Sequence, residues 1–160
     1  MFIKTDLQQV MRRWPSGVAV LTSRDGNTIH GMTVGSFTSV SINPPLVTVT
    51  VSNKTRSKEL VDCSGFFAIN LLSEGQHELS DVFAGRIPEH ENRFEGVKVT
   101  TGLNKILLLT EAAAHLECRV VHSYAMENST LYVAEVLNAE KAQDSQPLVY
   151  FNRDYHRINK

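Results

Sequence analysis

Cysteine is scarce in this chain of 160 residues, with only Cys63 and Cys118 present. They are far apart and neither has a CxxC partner or a histidine cluster beside it, which argues against a metal site. Two free buried thiols in a reducing cytosol are expected. Charge of one sign is not in excess either: 16 Lys and Arg are scattered against 17 Asp and Glu, for a net charge of -1. A nucleic-acid binder would carry a basic surplus or stripe. No run approaches the roughly 20 apolar residues of a membrane helix, and residues 1–6 lack the basic start and apolar stretch of a signal peptide. A soluble cytoplasmic protein is therefore expected, without nucleic-acid or membrane partners. GxSxG, HExxH, the P-loop and GxGxxG are all missing. If the chain is an enzyme, its chemistry belongs to an organic cofactor rather than to side chains.

What is present is an ordinary globular composition, 42% hydrophobic and 21% charged. The length suits one domain over residues 1–160, large enough to bury roughly 70% of its unfolded surface. Residues 5–14 predict a short helix capped by Thr5 or Asp6, with Leu7, Val10, Met11 and Trp14 on one face. Strands are expected at 18–23 and 29–34 around an Asp25-Gly26-Asn27 hairpin turn, then at 37–42 and 46–51. A helix over 56–64 ends at Gly65. A strand at 66–72, a helix at 74–84 and a polar loop at 85–92 follow. Two long strands, 112–124 and 130–142, and a short one at 148–151 complete the chain. The pattern is mainly β, with seven or eight strands and three helices, and a barrel closes it by removing sheet edges.

Three segments could carry chemistry. Residues 31–40 join two strands and combine glycines with hydroxyls. Gly35 lets a planar ligand approach the backbone, while Thr33, Ser36, Thr38 and Ser39 offer neutral hydrogen bonds. By composition alone a plain turn with surface hydroxyls accounts for it as well. In Ser52-Asn53-Lys54-Thr55-Arg56-Ser57 a strand ends and a helix starts, and free N–H groups with two cations suit a phosphate. A capped helix with solvated cations fits it equally. Phe83-Ala84-Gly85-Arg86 ends a helix with one arginine, which is also a routine glycine cap.

In order and spacing the segments are more specific. Trp14-Pro15-Ser16-Gly17-Val18, His30-Gly31-Met32-Thr33-Val34, Ser36-Phe37-Thr38-Ser39-Val40-Ser41 and Pro44-Pro45-Leu46-Val47 are followed by Phe67-Ala68-Ile69-Asn70-Leu71-Leu72 and Phe83-Ala84-Gly85. Leu116-Glu117-Cys118, Glu135-Val136 and Pro147-Leu148-Val149-Tyr150 close the series. Over nearly its whole length the chain resembles the flavin reductases with an FMN-binding split barrel, which include reductase components of two-component monooxygenases.

The resemblance implies a Greek-key-like split barrel, a homodimer, and FMN or FAD held near the subunit interface. It implies hydride transfer from NADH or NADPH to the flavin and release of reduced flavin to a partner oxygenase. Carried over, Thr33, Val34, Gly35, Ser36, Ser39 and Val40 hold the isoalloxazine ring. Ser52, Asn53, Lys54, Thr55 and Ser57 hold the ribityl phosphate, and Phe83, Gly85 and Arg86 line the outer part of the site. Ser129, Phe151, Arg153 and Tyr155 fall on the nicotinamide side. Many members carry Asn where this chain has Gly35, and His where it has Ser129. The alternative reading is a flavin-binding electron-transfer or carrier protein that retains its flavin.

Overall fold

The computed structural model describes residues 6–88, 90–142 and 144–159. Helix α1 (Leu7–Met11) leads into β1 (Ser16–Gly17), β2 (Ala19–Asp25), β3 (Thr28–Val34), β4 (Thr38–Ile42) and β5 (Pro45–Ser52). Helix α2 (Arg56–Ser64), β6 (Phe66–Leu71) and helix α3 (His77–Asp81) follow. The chain ends with β7 (Val99–Thr101), β8 (Leu107–Leu109), β9 (Ala114–Ala125), β10 (Ser129–Lys141), β11 (Val149–Phe151) and β12 (Asp154–His156).

Seven strands form one antiparallel sheet in the order β3-β2-β6-β9-β10-β5-β4. Its two edges, β3 and β4, are consecutive in sequence and joined only by Gly35, Ser36 and Phe37. Laid flat, seven strands would hold those edges about 29 Å apart. The connection reaches about 14 Å at most. The sheet must therefore curl, giving a Greek-key-like barrel left unpaired between β3 and β4: a split barrel. Ser36 clasps the seam, its hydroxyl donating to the Thr50 carbonyl at 2.8 Å and accepting from the Thr50 N–H at 3.1 Å.

Strand alternation sends β2 side chains to two apolar cores. Ala19 and Leu21 join Val49, Phe67, Ile69 and Tyr132 inside the barrel. Val20, with Val18 just before the strand, joins Leu72, Phe83, Leu109 and Leu148 on the outer side. That second layer explains why β2 is buried on both faces from Ala19 to Ser23.

The hairpin turn at Gly26 and the helix 56–64 stand as expected, with Thr55 as N-cap and Gly65 left-handed at φ 76°. Of the two expected caps, Asp6 caps α1, its carboxylate accepting from the Gln8 N–H at 3.1 Å, and Thr5 lies outside the described residues. Other expectations need correction. The apolar face of α1 is uncovered, with Trp14 71% exposed. The helix expected over 74–84 is divided: α3 gives way to a wider turn over Val82–Arg86, in which Gly85 takes φ 114°. Buried Arg93 occupies the carbonyls of Phe83, Ile87 and Gly31 at 2.8–3.2 Å, so those oxygens serve a side chain instead of a continuing helix. The β7–β8 hairpin had no sequence signal, because its three-residue strands are too short to show a period. It is laced to the barrel by polar side chains. Thr22 donates to the Leu107 carbonyl at 2.7 Å, and the Asn70 side-chain oxygen accepts from the Leu109 N–H at 2.8 Å. The Glu117 carboxylate accepts from the Leu103 N–H and, at 2.9 Å, from Asn138. Cys63 is exposed rather than buried. Cys118 is buried, and desolvation, then the charge of Glu117, push its thiol up to about 12, which leaves it unreactive at neutral pH.

Gly31 sits where β3 passes beneath Phe83. A Cβ there would lie 2.6 Å from the Phe83 ring and 3.1 Å from Phe94. Gly31→Ala is expected to destabilise the fold by about 1–3 kcal/mol through overpacking, measured by urea unfolding.

Candidate active site

Where β3 reaches the barrel seam, an open cleft of about 480 Å³ is lined by Ser16, Gly17, Thr33, Val34, Gly35, Ser80, Asp81, Tyr150, Arg153 and Tyr155 among others. Each wall is held in place by strand pairing, a hydrogen bond or a ring contact. Ser16–Gly17 pairs with Val149 and Tyr150, which brings the β11–β12 hairpin to the start of the barrel. Thr33 donates to the Ser80 carbonyl at 2.6 Å and so ties α3 to β3. The Tyr155 hydroxyl, 2.9 Å from Ser80 Oγ and 2.7 Å from Asp81 Oδ1, ties the hairpin to α3. Tyr150 packs edge-on against Tyr155 with ring centroids 5.4 Å apart. Glycine keeps the floor open: a Cβ on Gly35 would come within 3.1 Å of Ser16 Oγ.

The second expected segment opens α2. Thr55 accepts from the Lys58 N–H at 3.3 Å and donates to the Ser52 carbonyl at 2.8 Å. The other N–H groups of the first turn have no intrahelical acceptor. Lys54 and Arg56 line a surface hollow with Glu59 and His90, and neither forms an ion pair among the described residues. Strand β3 connects this end to the cleft. Buried Ser57 meets His30 Nδ1 at 2.8 Å, and the four residue steps from His30 to Val34 cover about 13 Å.

The expected site residues are thus only partly gathered. Thr33, Val34, Gly35, Arg153 and Tyr155 meet in the cleft; Ser52, Lys54 and Thr55 cluster at the α2 start. Several others serve the fold. Asn53 staples α2 to the β9–β10 hairpin, donating to the carbonyls of Met126 and Glu127 and accepting from Thr130. Ser36 is the seam clasp, and the Ser57 hydroxyl faces His30. Phe83 is 1% exposed and packs in the outer core, so its ring offers no surface to a ligand. Arg86 lines a different hollow, beyond α3, with Gln76, Leu79, Lys98 and Glu111. Gly85 is exposed outside the cleft. Ser39 and Val40 stand exposed on the edge strand β4, where Val40 is the extra residue of a bulge. Ser129 lies opposite Ser52 across the β5–β10 ladder, not with the C-terminal hairpin. Phe151 is also off the cleft: adjacent strand residues face opposite sides, and the cleft takes Tyr150. The sequence reading missed Ser16, Ser80, Asp81 and Tyr150. Only the alternation of Val149-Tyr150-Phe151 could have signalled that one of two neighbouring aromatics must turn away.

The arrangement suits a flat, partly polar ring with an anionic tail. The glycine floor admits a plane, aromatic and hydroxyl walls surround it, and the α2 start, beside the other end of β3, offers free N–H groups with two cations suited to a phosphate. Among the described residues no three His, Cys, Asp or Glu side chains group as a metal site requires.

Comparison with known proteins identifies the family. Residues 11–159 match the flavin reductase like domain. The chain belongs to that family. It is 35% identical over 156 residues to the reductase component of 4-hydroxyphenylacetate 3-monooxygenase from Thermus thermophilus, covering 98% of this chain and 97% of that protein. It is 34% identical over 152 residues to the reductase component of the FADH2-dependent resorcinol hydroxylase of a Rhizobium species, covering 94% and 84%. Among solved structures, the flavin reductase HpaC in complex with NADP+ superposes with a TM-score of 0.87 at 30% identity, covering 96% of each chain.

Tyr155 titrates above its ordinary value of 10.0, first because it is partly buried and then because Asp81 accepts its proton in a hydrogen bond. A phenol raised on folding lends stability that is complete below pH about 10 and is lost as pH climbs through its folded value. Tyr155→Phe is expected to cost about 1–3 kcal/mol at neutral pH and to make the alkaline loss shallower. Urea unfolding across a pH series measures both.

Proposed function

We propose that this flavin reductase works as one domain that binds FMN or FAD along β3. The isoalloxazine edge lies against Thr33, Val34 and Gly35, and the phosphate sits at the α2 start. The activity is NAD(P)H-dependent reduction of flavin, which is then supplied to a partner monooxygenase. The observation that carries the reading is the juxtaposition, in a member of this family, of a glycine-floored cleft with an unneutralised cationic helix start one strand-length away.

When bound, the flavin supplies the hydride acceptor. This chain's residues supply position. Lys54, Arg56 and the first-turn N–H groups hold the phosphate by charge and hydrogen bonds. Gly35 admits the ring, and Tyr150 and Tyr155 screen one side of the cleft from water. Bringing donor and acceptor together in register contributes roughly 7–11 kcal/mol. Cleft substitutions are accordingly expected to change binding and KM more than to abolish turnover while flavin stays bound.

The uncovered apolar side chains of α1, with Val121, Tyr124 and Leu137 on β9 and β10, support a homodimer, for which light scattering should give twice the chain mass. The proposed place of action is the cytoplasm; no helix among the described residues is long and apolar enough to cross a membrane.

The deciding experiment mixes the FMN-loaded protein with NADH or NADPH without oxygen. Bleaching of the flavin's visible band is expected, and an unbleached spectrum with both donors refutes the reductase. Reduced flavin should then pass to free solution; a flavin that never exchanges points to the carrier alternative. Lys54→Ala or Arg56→Ala should each weaken FMN binding by about 1.5–3 kcal/mol, read by fluorescence quenching.

A further inference from the structure

We propose that Arg153 binds a phosphate group of the hydride-donating nucleotide. The inference rests on the reductase reading and adds a specificity residue that is particular to this chain. β11 and β12 are joined by two residues only, Asn152 and Arg153, with φ of 51° and 65°. A two-residue hairpin with both φ positive favours Asn followed by Gly. Asn152 obeys that rule. Arg153 breaks it, because a Cβ in the left-handed region crowds the next carbonyl. Glycine would close this turn with less strain, so turn geometry does not account for the arginine. Strain of this kind persists where the surroundings enforce it, and it gathers at functional sites.

The side chain has a place to act. Arg153 lines the cleft together with Thr33, Gly35, Asp81 and Tyr155. Among the described residues it makes no ion pair and no side-chain hydrogen bond. Two carboxylates beside it are engaged elsewhere: Asp81 of the same cleft lining accepts from the Tyr155 hydroxyl, and Asp154, the next residue, from the Tyr155 N–H. The turn that carries Arg153 is held at both ends, by pairing of β11 with Ser16–Gly17 and by the Tyr155 bonds to α3. A guanidinium on such a support offers a planar fork that matches two phosphate oxygens. The flavin's own phosphate is accounted for at the α2 start, at the far end of the β3 segment. The anion left for Arg153 is therefore on the nucleotide, either the pyrophosphate shared by NADH and NADPH or the 2′-phosphate of NADPH.

The test uses the full-length protein, Arg153→Gly and Arg153→Lys. First, flavin reduction by the unsubstituted protein is established with either donor; failure there refutes the reductase reading before any variant is made. Calorimetric titration with NAD+ and NADP+, KM for both donors, FMN affinity and Tm are then measured. Arg153→Gly should keep FMN affinity and keep or raise Tm, by about 2–4 °C if about 1 kcal/mol of strain is relieved. It should weaken nucleotide binding about 10- to 100-fold, with partial recovery in Arg153→Lys. Loss with both nucleotides supports the proposal and assigns the pyrophosphate. Loss with NADP+ alone supports it and assigns the 2′-phosphate. A glycine variant that keeps both affinities overturns it, whatever its Tm, as does one that loses FMN to the same degree.

Discussion

Three residues, Gly35, Ser36 and Phe37, bear the constraint on which the rest of this architecture depends. They must join the two edges of a seven-stranded sheet. A connection that short leaves the sheet no option but to roll up. Rolling brings the end of β3 beside β5, where Ser36 satisfies both backbone groups of Thr50. The seam is left without a β3–β4 ladder, and the candidate cleft opens there. The same short link therefore closes the barrel, makes the split and sets the glycine floor against Ser16.

Around that seam the molecule is fastened by side chains reaching across long stretches of sequence. Thr33 to Ser80, Tyr155 to Asp81 and Asn53 to Thr130 each join an element of the site to one far away in the chain. These bonds explain why several hydroxyls and amides that look like ligand donors in the sequence are spent on the fold. A buried hydrogen-bonding group is costly to leave unpaired. Side chains that hold two elements together have fewer donors and acceptors left for a ligand. Not spent in this way are the cations Lys54, Arg56 and Arg153, which with the glycine at 35 shape the proposed binding surface.

Strand content was legible because β-branched runs and turn residues alternate clearly over 18–51 and 112–142. Helix α2 was legible to the residue, since Thr55 and Gly65 are strong local caps. The β7–β8 hairpin was not, because its strands are three residues long and their partners are polar side chains of Thr22, Asn70 and Glu117. The division of the 74–84 helix was hidden for a similar reason: Arg93, seven residues beyond Arg86 in sequence, takes the carbonyls.

By itself the sequence determined the class of fold, the phosphate-ready start of α2 and the family. These depend on local spacing, propensity and the order of motifs. Only the tertiary structure decided which candidate side chains face the candidate cleft. It turned Phe83 into the core, sent Phe151 away from the cleft and set Tyr150 and Asp81 into it. Facing is a property of strand register and of contacts between distant segments, and neither is written in the spacing of residues along one stretch of chain.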